Sequence, residues 1–538
     1  KMNLGKIYHM GKEEAAGLLL NRQAMASHTF ITGSTGTGKS NAVYHLLDEI
    51  TKNGQTTFLV VEPAKGEYKN VFGNCTDVQV FGTNPRETPL LRMNPFAFPE
   101  NIHILEHIDR LVEIFNACWP MYAAMPAVLK DAIERSYQKV GWDLRNSESE
   151  KGVFPTFFDL LDILPGVIEE SHYSKDTQSD YVGALCTRVK SLTNGIYGSV
   201  LCAEDALSDA EMFDQNVIVD LSRVGSMETK SLLMGILVMK LQEYRMCSSG
   251  MNSRLRHVTV LEEAHNLLRK TSAEQSQEGA NLQGKSVEML ANAIAEMRTY
   301  GEGFIIADQA PGLLDMSVIR NTNTKIILRL PDEEDRKLVG KSAALKEAQI
   351  DELSKLPLGV AAVYQNEWPE AVLCKIEAYP MPENAVYHKP SKMPHEINAE
   401  FVFGQLAVGK ELEPLSSSEM EQLKLWLKRH EMMLKPEDGR YLEQVFAGGE
   451  LDVAKTRKAV FDFFDGISTV IDYCAAAEKS FTPRKEFLEQ LQGQYGLKAA
   501  AADWVLNSVI SMGMSLNPDA EAVEDLRTNF EQQGGRVL

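Results

Sequence analysis

The stretch Phe30-Ile31-Thr32-Gly33-Ser34-Thr35-Gly36-Thr37-Gly38-Lys39-Ser40 constrains this chain more than any other. It fits the spacing GxxxxGK[ST], with a β-rich run before it and Val43, Leu46, Leu47 and Ile50 at helical spacing after it. Gly33, Gly36 and Gly38 let the backbone curl until successive N–H groups face one point. The helix N-terminus adds roughly half a positive charge at that point. Nucleotide phosphates suit it. Lys39 is expected to reach the outer phosphates, and the Ser40 hydroxyl to ligate Mg²⁺. Ser34, Thr35, Thr37 and Asn41 complete the expected ATP contacts.

Hydrolysis also needs a carboxylate near the terminal phosphate. His257-Val258-Thr259-Val260-Leu261-Glu262-Glu263-Ala264-His265 reads as an apolar strand ending in two acids. Neighbouring side chains on a strand point to opposite faces, so Glu262 and Glu263 are expected to divide two jobs. By similarity to P-loop ATPases, Glu262 sits near Mg²⁺, often through water, and Glu263 near the attacking water. Aspartate is the usual first acid, and the longer Glu262 suits an outer-shell role.

Short runs rich in Val and Ile alternate with helical stretches from residue 28 to about 377. The candidate strands are His28–Thr32, Thr57–Val61, Val78–Phe81, Val217–Leu221, Val258–Leu261, Phe304–Ala307, Lys325–Leu330 and Val360–Tyr364. Buried on both faces, such runs predict an α/β fold with a mainly parallel sheet. The strand signal stops over 96–208, where Ile104–Cys118, Pro126–Val140 and Asp180–Leu192 read as helices and Asn146–Gly152 as a surface loop. This predicts a helical insertion between the core segments 1–95 and 209–378. Pro380, Pro382, Pro390 and Pro394 mark 379–395 as a linker, and 396–538 reads as a helical C-terminal domain. There, Leu423, Leu427 and His430 share the face of a helix opened by Ser416–Ser418. Val460, Phe464 and Ile467 mark another, and Thr482-Pro483 an N-cap pair.

A length of 538 residues allows two to four units, and 44% hydrophobic with 24% charged residues is a globular profile. The net charge of −20 excludes a general DNA-coating role. Basic loops gathered in a channel remain compatible, because distant charge is screened over ~8 to 10 Å. The seven cysteines are scattered without a CxxC pair, which suits a reducing compartment and argues against disulfides or zinc. No signal-peptide pattern opens the chain, and the apolar run Leu232–Met239 is far shorter than the ~20 residues of a membrane span. A cytoplasmic protein without membrane contact is expected. The opening Lys1-Met2 leaves a short leader and a missing upstream domain equally open.

Taken as a set, four stretches resemble the HerA/FtsK class of P-loop motor ATPases, and within it the HerA-like DNA translocases. They are His28–Ser40, Val60–Tyr68 (VVEPAKGEY), Val258–Leu268 (VTVLEEAHNLL) and Met297–Leu330, and the resemblance covers about residues 20–377. It implies a RecA-like fold and a ring, usually a hexamer, with ATP between subunits and DNA or another polymer through the centre, double-stranded DNA being the leading expectation. It also implies that Gln309 senses the γ-phosphate. The class often has TQR where this chain has Asp308-Gln309-Ala310, so no arginine role passes to position 310. A neighbour's arginine is implied too, with Arg298 the first candidate and Arg329 and Arg320 behind it. Glu67 is read either as lining the nucleotide or interface or as a solvated turn residue. Ser253–Arg256 and Arg269–Lys285 are candidate pore loops or solvated loops.

Three functions fit. The first is a DNA-translocating motor working with a partner nuclease or effector in repair or antiviral defence. The second is a conjugation or secretion motor, and the third an ATP-gated oligomeric scaffold. The sequence carries no nuclease signature, zinc ligand set or nucleophile triad, so any cleavage is expected from a partner.

Overall fold

A computed structural model describes the chain apart from residues 53, 123, 204, 272–280, 382–384, 391–396, 410, 411, 413 and 416, with backbone alone for 417 and 418. Parts of the expected 379–395 linker, the Arg269–Lys285 loop and the Ser416–Ser418 helix start therefore lie outside the described residues. Contacts divide the chain into two units, Lys1–Lys389 and Pro390–Leu538.

The first unit is built on an 11-stranded sheet. Thr29–Thr32 lies at its centre between Glu302–Asp308 and Thr324–Ile327. Beyond Glu302–Asp308 follow His257–Glu262, Thr57–Glu62, Asn216–Asp220 and Val78–Gly82, and all of these strands run parallel. On the other side Val360–Gln365, Val372–Ile376, Met2–His9 and Lys12–Leu20 are antiparallel. The mainly parallel α/β fold is thus as expected. The edge hairpin and Val372–Ile376 lie outside the expected strands. Lys12–Leu20 is exposed over most of its length, so no apolar alternation reveals it.

Alternate residues of the central strands face two cores. Phe30, Leu59, Val61, Val219, Leu261 and Ile306 face one. Ile31, Phe58, Val60, Ile218, Val260 and Ile305 face the other. Helix Lys39–Thr51 covers the second core with Val43, Leu46, Leu47 and Ile50, all fully buried. Truncating one such side chain to alanine typically costs ~2–5 kcal/mol, which anchors the start of this helix.

The helices between 96 and 208 do not make a core of their own. Ile108, Leu111, Phe115, Leu129, Ile133 and Leu160 join the first core of the sheet. The loop expected at Asn146–Gly152 contains one strand of a minimal hairpin, Trp142–Asp143 with Glu148–Ser149. Leu232–Met239 belongs to helix Met227–Ser248 and is buried in that core. Among the described residues no helix is long and apolar enough to cross a membrane.

The second unit is helical, around its own core. Leu423 and Leu427 are buried, and His430 follows the helix end with its ring 4.6 Å from Trp426. Val460, Phe464 and Ile467 do not share a helix. Asp465 adopts φ 44°, which turns the chain after Val453–Phe463, and Ile467 is exposed on the following helix Gly466–Ala477. Pro483 opens its helix as expected, but the Thr482 side chain makes no cap.

Candidate active site

Parallel register brings the ends of five strands to one edge. Asp308 pairs with Thr32, Ala307 with Glu262, and Glu62 with Asp220. From Thr32 the chain enters the glycine loop and then helix Lys39–Thr51. Gly36 and Gly38 adopt φ 76° and 103°, which side-chain-bearing residues rarely tolerate. At Gly33 the constraint is space: a Cβ there would lie 2.7 Å from Thr37 Oγ1 and 2.8 Å from Leu328 Cβ. The loop is fastened by Thr37 Oγ1 donating to the Ser34 carbonyl (2.7 Å) and by Ser34 N donating to the Arg329 carbonyl (3.0 Å).

Lys39 leads the helix with its side chain buried, and its Nζ lies 3.3 Å from Glu262 Oε2 and 3.0 Å from Glu263 Oε1. Burial opposes its charge, but the two glutamates outweigh this and raise its pKa. Strand alternation had predicted that the acids face apart. They converge on one ammonium because the strand ends at Glu262 and Glu263 turns into the left-handed region, φ 45° and ψ 52°. Gln309 joins the same group: its Nε2 donates to Glu263 Oε1, and its Oε1 accepts from Thr35 Oγ1 at 2.7 Å. The loop, the second acid and Gln309 are therefore one hydrogen-bonded unit.

Several contributors carry no role in the sequence reading. Tyr68, fully buried, donates its hydroxyl to Glu262 Oε1. Glu62 accepts from the backbone of Glu67 (2.8 Å) and Tyr68 (3.1 Å), and burial, with Asp220 and Glu262 nearby, pushes its carboxyl up to about 8. Asp308 accepts from His265, a hydrogen bond that raises the His265 pKa. The available signal was an acid closing a strand, in VVEPAKGEY and again in FIIADQ, which becomes informative only once register aligns the strand ends.

Lys39, Ser40, Glu62, Glu67, Glu262 and Glu263 border one small pocket. Hard oxygen donors beside a phosphate loop suit Mg²⁺, so the residues present fit the expected ion. Glu67 is exposed at its rim. The Asn41 side chain is engaged elsewhere, donating to the Glu377 carbonyl (3.0 Å) and accepting from Tyr379 N (2.8 Å). Its remaining group toward the loop is the backbone.

The candidate arginines are exposed but lie at two places. Arg329 follows its strand on the loop side, where its carbonyl accepts from Ser34. Arg298 and Arg320 precede their strands and share a polar pocket with Asn292, Asn321, Asn323 and Asn366 at the opposite edge. The 7-residue strand Glu302–Asp308 separates that edge from Glu263 by about 20 Å. Ser253–Arg256 also precedes its strand, on the Arg298 side, with Ser253 N donating to Thr299 O.

A glycine loop at the end of a central parallel strand, its lysine facing two acids from a strand two places away, defines a P-loop ATPase. Residues 2–241 match the family model described as the central domain of helicase HerA. The DNA double-strand break repair helicase HerA of Sulfolobus acidocaldarius is 26% identical over 393 residues, covering 70% of this chain and 69% of its own. In fold, VirB4 of Thermoanaerobacter pseudethanolicus is similar with a TM-score of 0.51 and 18% identity, over 70% of this chain and 97% of that one. Plasmid coupling protein TrwB, solved with the ATP analogue ADPNP, gives 0.50 and 15% identity over 73% and 98%. Over these matched regions the chain is similar to the HerA/FtsK class of P-loop motor ATPases.

Proposed function

We propose that this chain forms a ring, a hexamer, that hydrolyses ATP to move double-stranded DNA, and that it works with a partner nuclease or effector in DNA repair or antiviral defence. One observation carries the hydrolytic part: Glu263 Oε1 is shared by Lys39 Nζ and Gln309 Nε2. A triphosphate in the glycine loop competes for Lys39 and releases that carboxylate oxygen, which then accepts a proton from the attacking water. Residues Gly33 to Asn41 hold the phosphates, and Gln309, tied to Thr35 of the loop, reports their presence to Glu263. Ser40 and Glu262 would hold Mg²⁺, which neutralises charge on the phosphates when bound. Tyr68 keeps Glu262 in place.

The DNA part is supported by the HerA central-domain match and by the HerA helicase relative. It is tested by the ATPase rate at low salt with and without double-stranded DNA, alongside particle mass in solution. Several-fold stimulation is expected from a ring-sized particle. A rate indifferent to DNA would remove the cargo while leaving the ATPase intact.

Arg298, about 20 Å from its own Glu263, can serve only another subunit's nucleotide, which favours it over Arg329 on the loop side; Arg320 shares its edge and stays a second candidate. Arg298→Ala is expected to lower turnover about 10³-fold or more with nucleotide binding retained. Mixed with Glu263→Gln subunits it should regain part of the rate, since some interfaces then hold both intact groups. Absence of rescue would end the trans assignment.

A further inference from the structure

Asp308 closes the strand between the glycine-loop strand and the Glu262 strand, and it is fully buried. Its carboxylate makes three bonds, all to the turns that carry the reacting groups. Oδ2 accepts from His265 N at 2.9 Å and from His265 Nδ1 at 2.8 Å. Oδ1 accepts from Ala310 N at 2.9 Å. One side chain thus ties the turn after Glu263 to the turn that carries Gln309.

That turn needs a tie. Glu263 occupies the left-handed region at φ 45°, a conformation costing about 1 kcal/mol or more for a residue with a side chain. Local support comes from Asn266, whose N (2.9 Å) and Nδ2 (2.8 Å) both donate to the Glu263 carbonyl. Apart from the Glu263 side chain's own bonds to Lys39 and Gln309, the long-range hydrogen bonds on the turn's first residues, among the described contacts, are the His265 pair to Asp308. Without them Glu263 can relax toward ordinary strand geometry, where its carboxylate swings away from Lys39 and Gln309.

We propose that Asp308 and His265 form a brace that positions Glu263 against the attacking water and keeps Gln309 in step with it. The inference rests on Glu263 as the base. Neither residue touches substrate; both act through Glu263, so they are positioning residues. Glu263, His265 and Asp308 also bring ligand atoms within 4.8 Å of one another. Because Asp308 Oδ2 already accepts two N–H donors, this is the arrangement of a brace rather than of a cation site.

The test uses the full chain and half-buried His265, which tolerates substitution better than Asp308. Asparagine at 265 keeps an N–H close to the position of Nδ1, and alanine does not. His265→Ala is expected to lower kcat about tenfold, with KM and the affinity for a fluorescent ATP analogue held within about twofold. His265→Asn should recover most of kcat. The brace is overturned by an unchanged kcat in His265→Ala, by His265→Asn being as slow as alanine, or by a loss that falls on affinity instead. Glu263→Gln run in parallel separates the two ideas. If that variant turns over normally, the base assignment fails whatever the His265 variants do.

Discussion

Glu263→Gln is expected to reduce ATP turnover by about 10²- to 10⁴-fold while nucleotide binding persists. The amide keeps the size of the side chain and still offers Oε1 to Gln309 Nε2, so the local structure has little reason to move. What it loses is basicity toward water. It also removes one of the two negative partners of Lys39, 3.0 Å away, so the ammonium is freer to meet a phosphate. Affinity should therefore hold or rise. Single-turnover hydrolysis and equilibrium binding of a labelled ATP analogue check both halves, and wild-type hydrolysis in this variant would remove Glu263 as the base.

Lys39→Ala should abolish turnover and weaken binding. A hydrogen bond to a charged group contributes ~1.5–3 kcal/mol, so affinity falls about 10- to 100-fold even if the backbone donors remain. A second effect acts in the same direction. Glu262 and Glu263 converge on this lysine, and without it two carboxylates confront an incoming triphosphate unneutralised. Titration with nucleotide, with a thermal melt to establish folding, measures the loss. A folded variant that hydrolyses ATP at the normal rate would place the nucleotide elsewhere.

The glycine loop was legible because every position that matters lies within a short stretch and answers to local geometry: curling glycines, a lysine, a hydroxyl and a helix with one apolar face. The central strands were legible for a similar reason, since burial on both faces leaves unbroken runs of Val, Ile and Leu. The edge hairpin escaped because the solvent-facing strand Lys12–Leu20 needs no such run. Asp465 shows the converse. Val460, Phe464 and Ile467 keep helical spacing, yet Asp465 at φ 44° separates the helix that ends at Phe463 from the one that begins at Gly466.

At the site, residue types were readable and their meeting point was not. The chain order alone placed Lys39 in a phosphate loop and two acids at the end of a later strand, because local backbone preference and apolar patterning act over a few residues. Only the tertiary structure decided that both acids turn to the same ammonium, that Gln309 bridges loop and acid, and that Asp308 and Tyr68 hold them there. Those contacts depend on parallel register between strands far apart in sequence and on one left-handed residue, Glu263, which strand periodicity has no means of announcing.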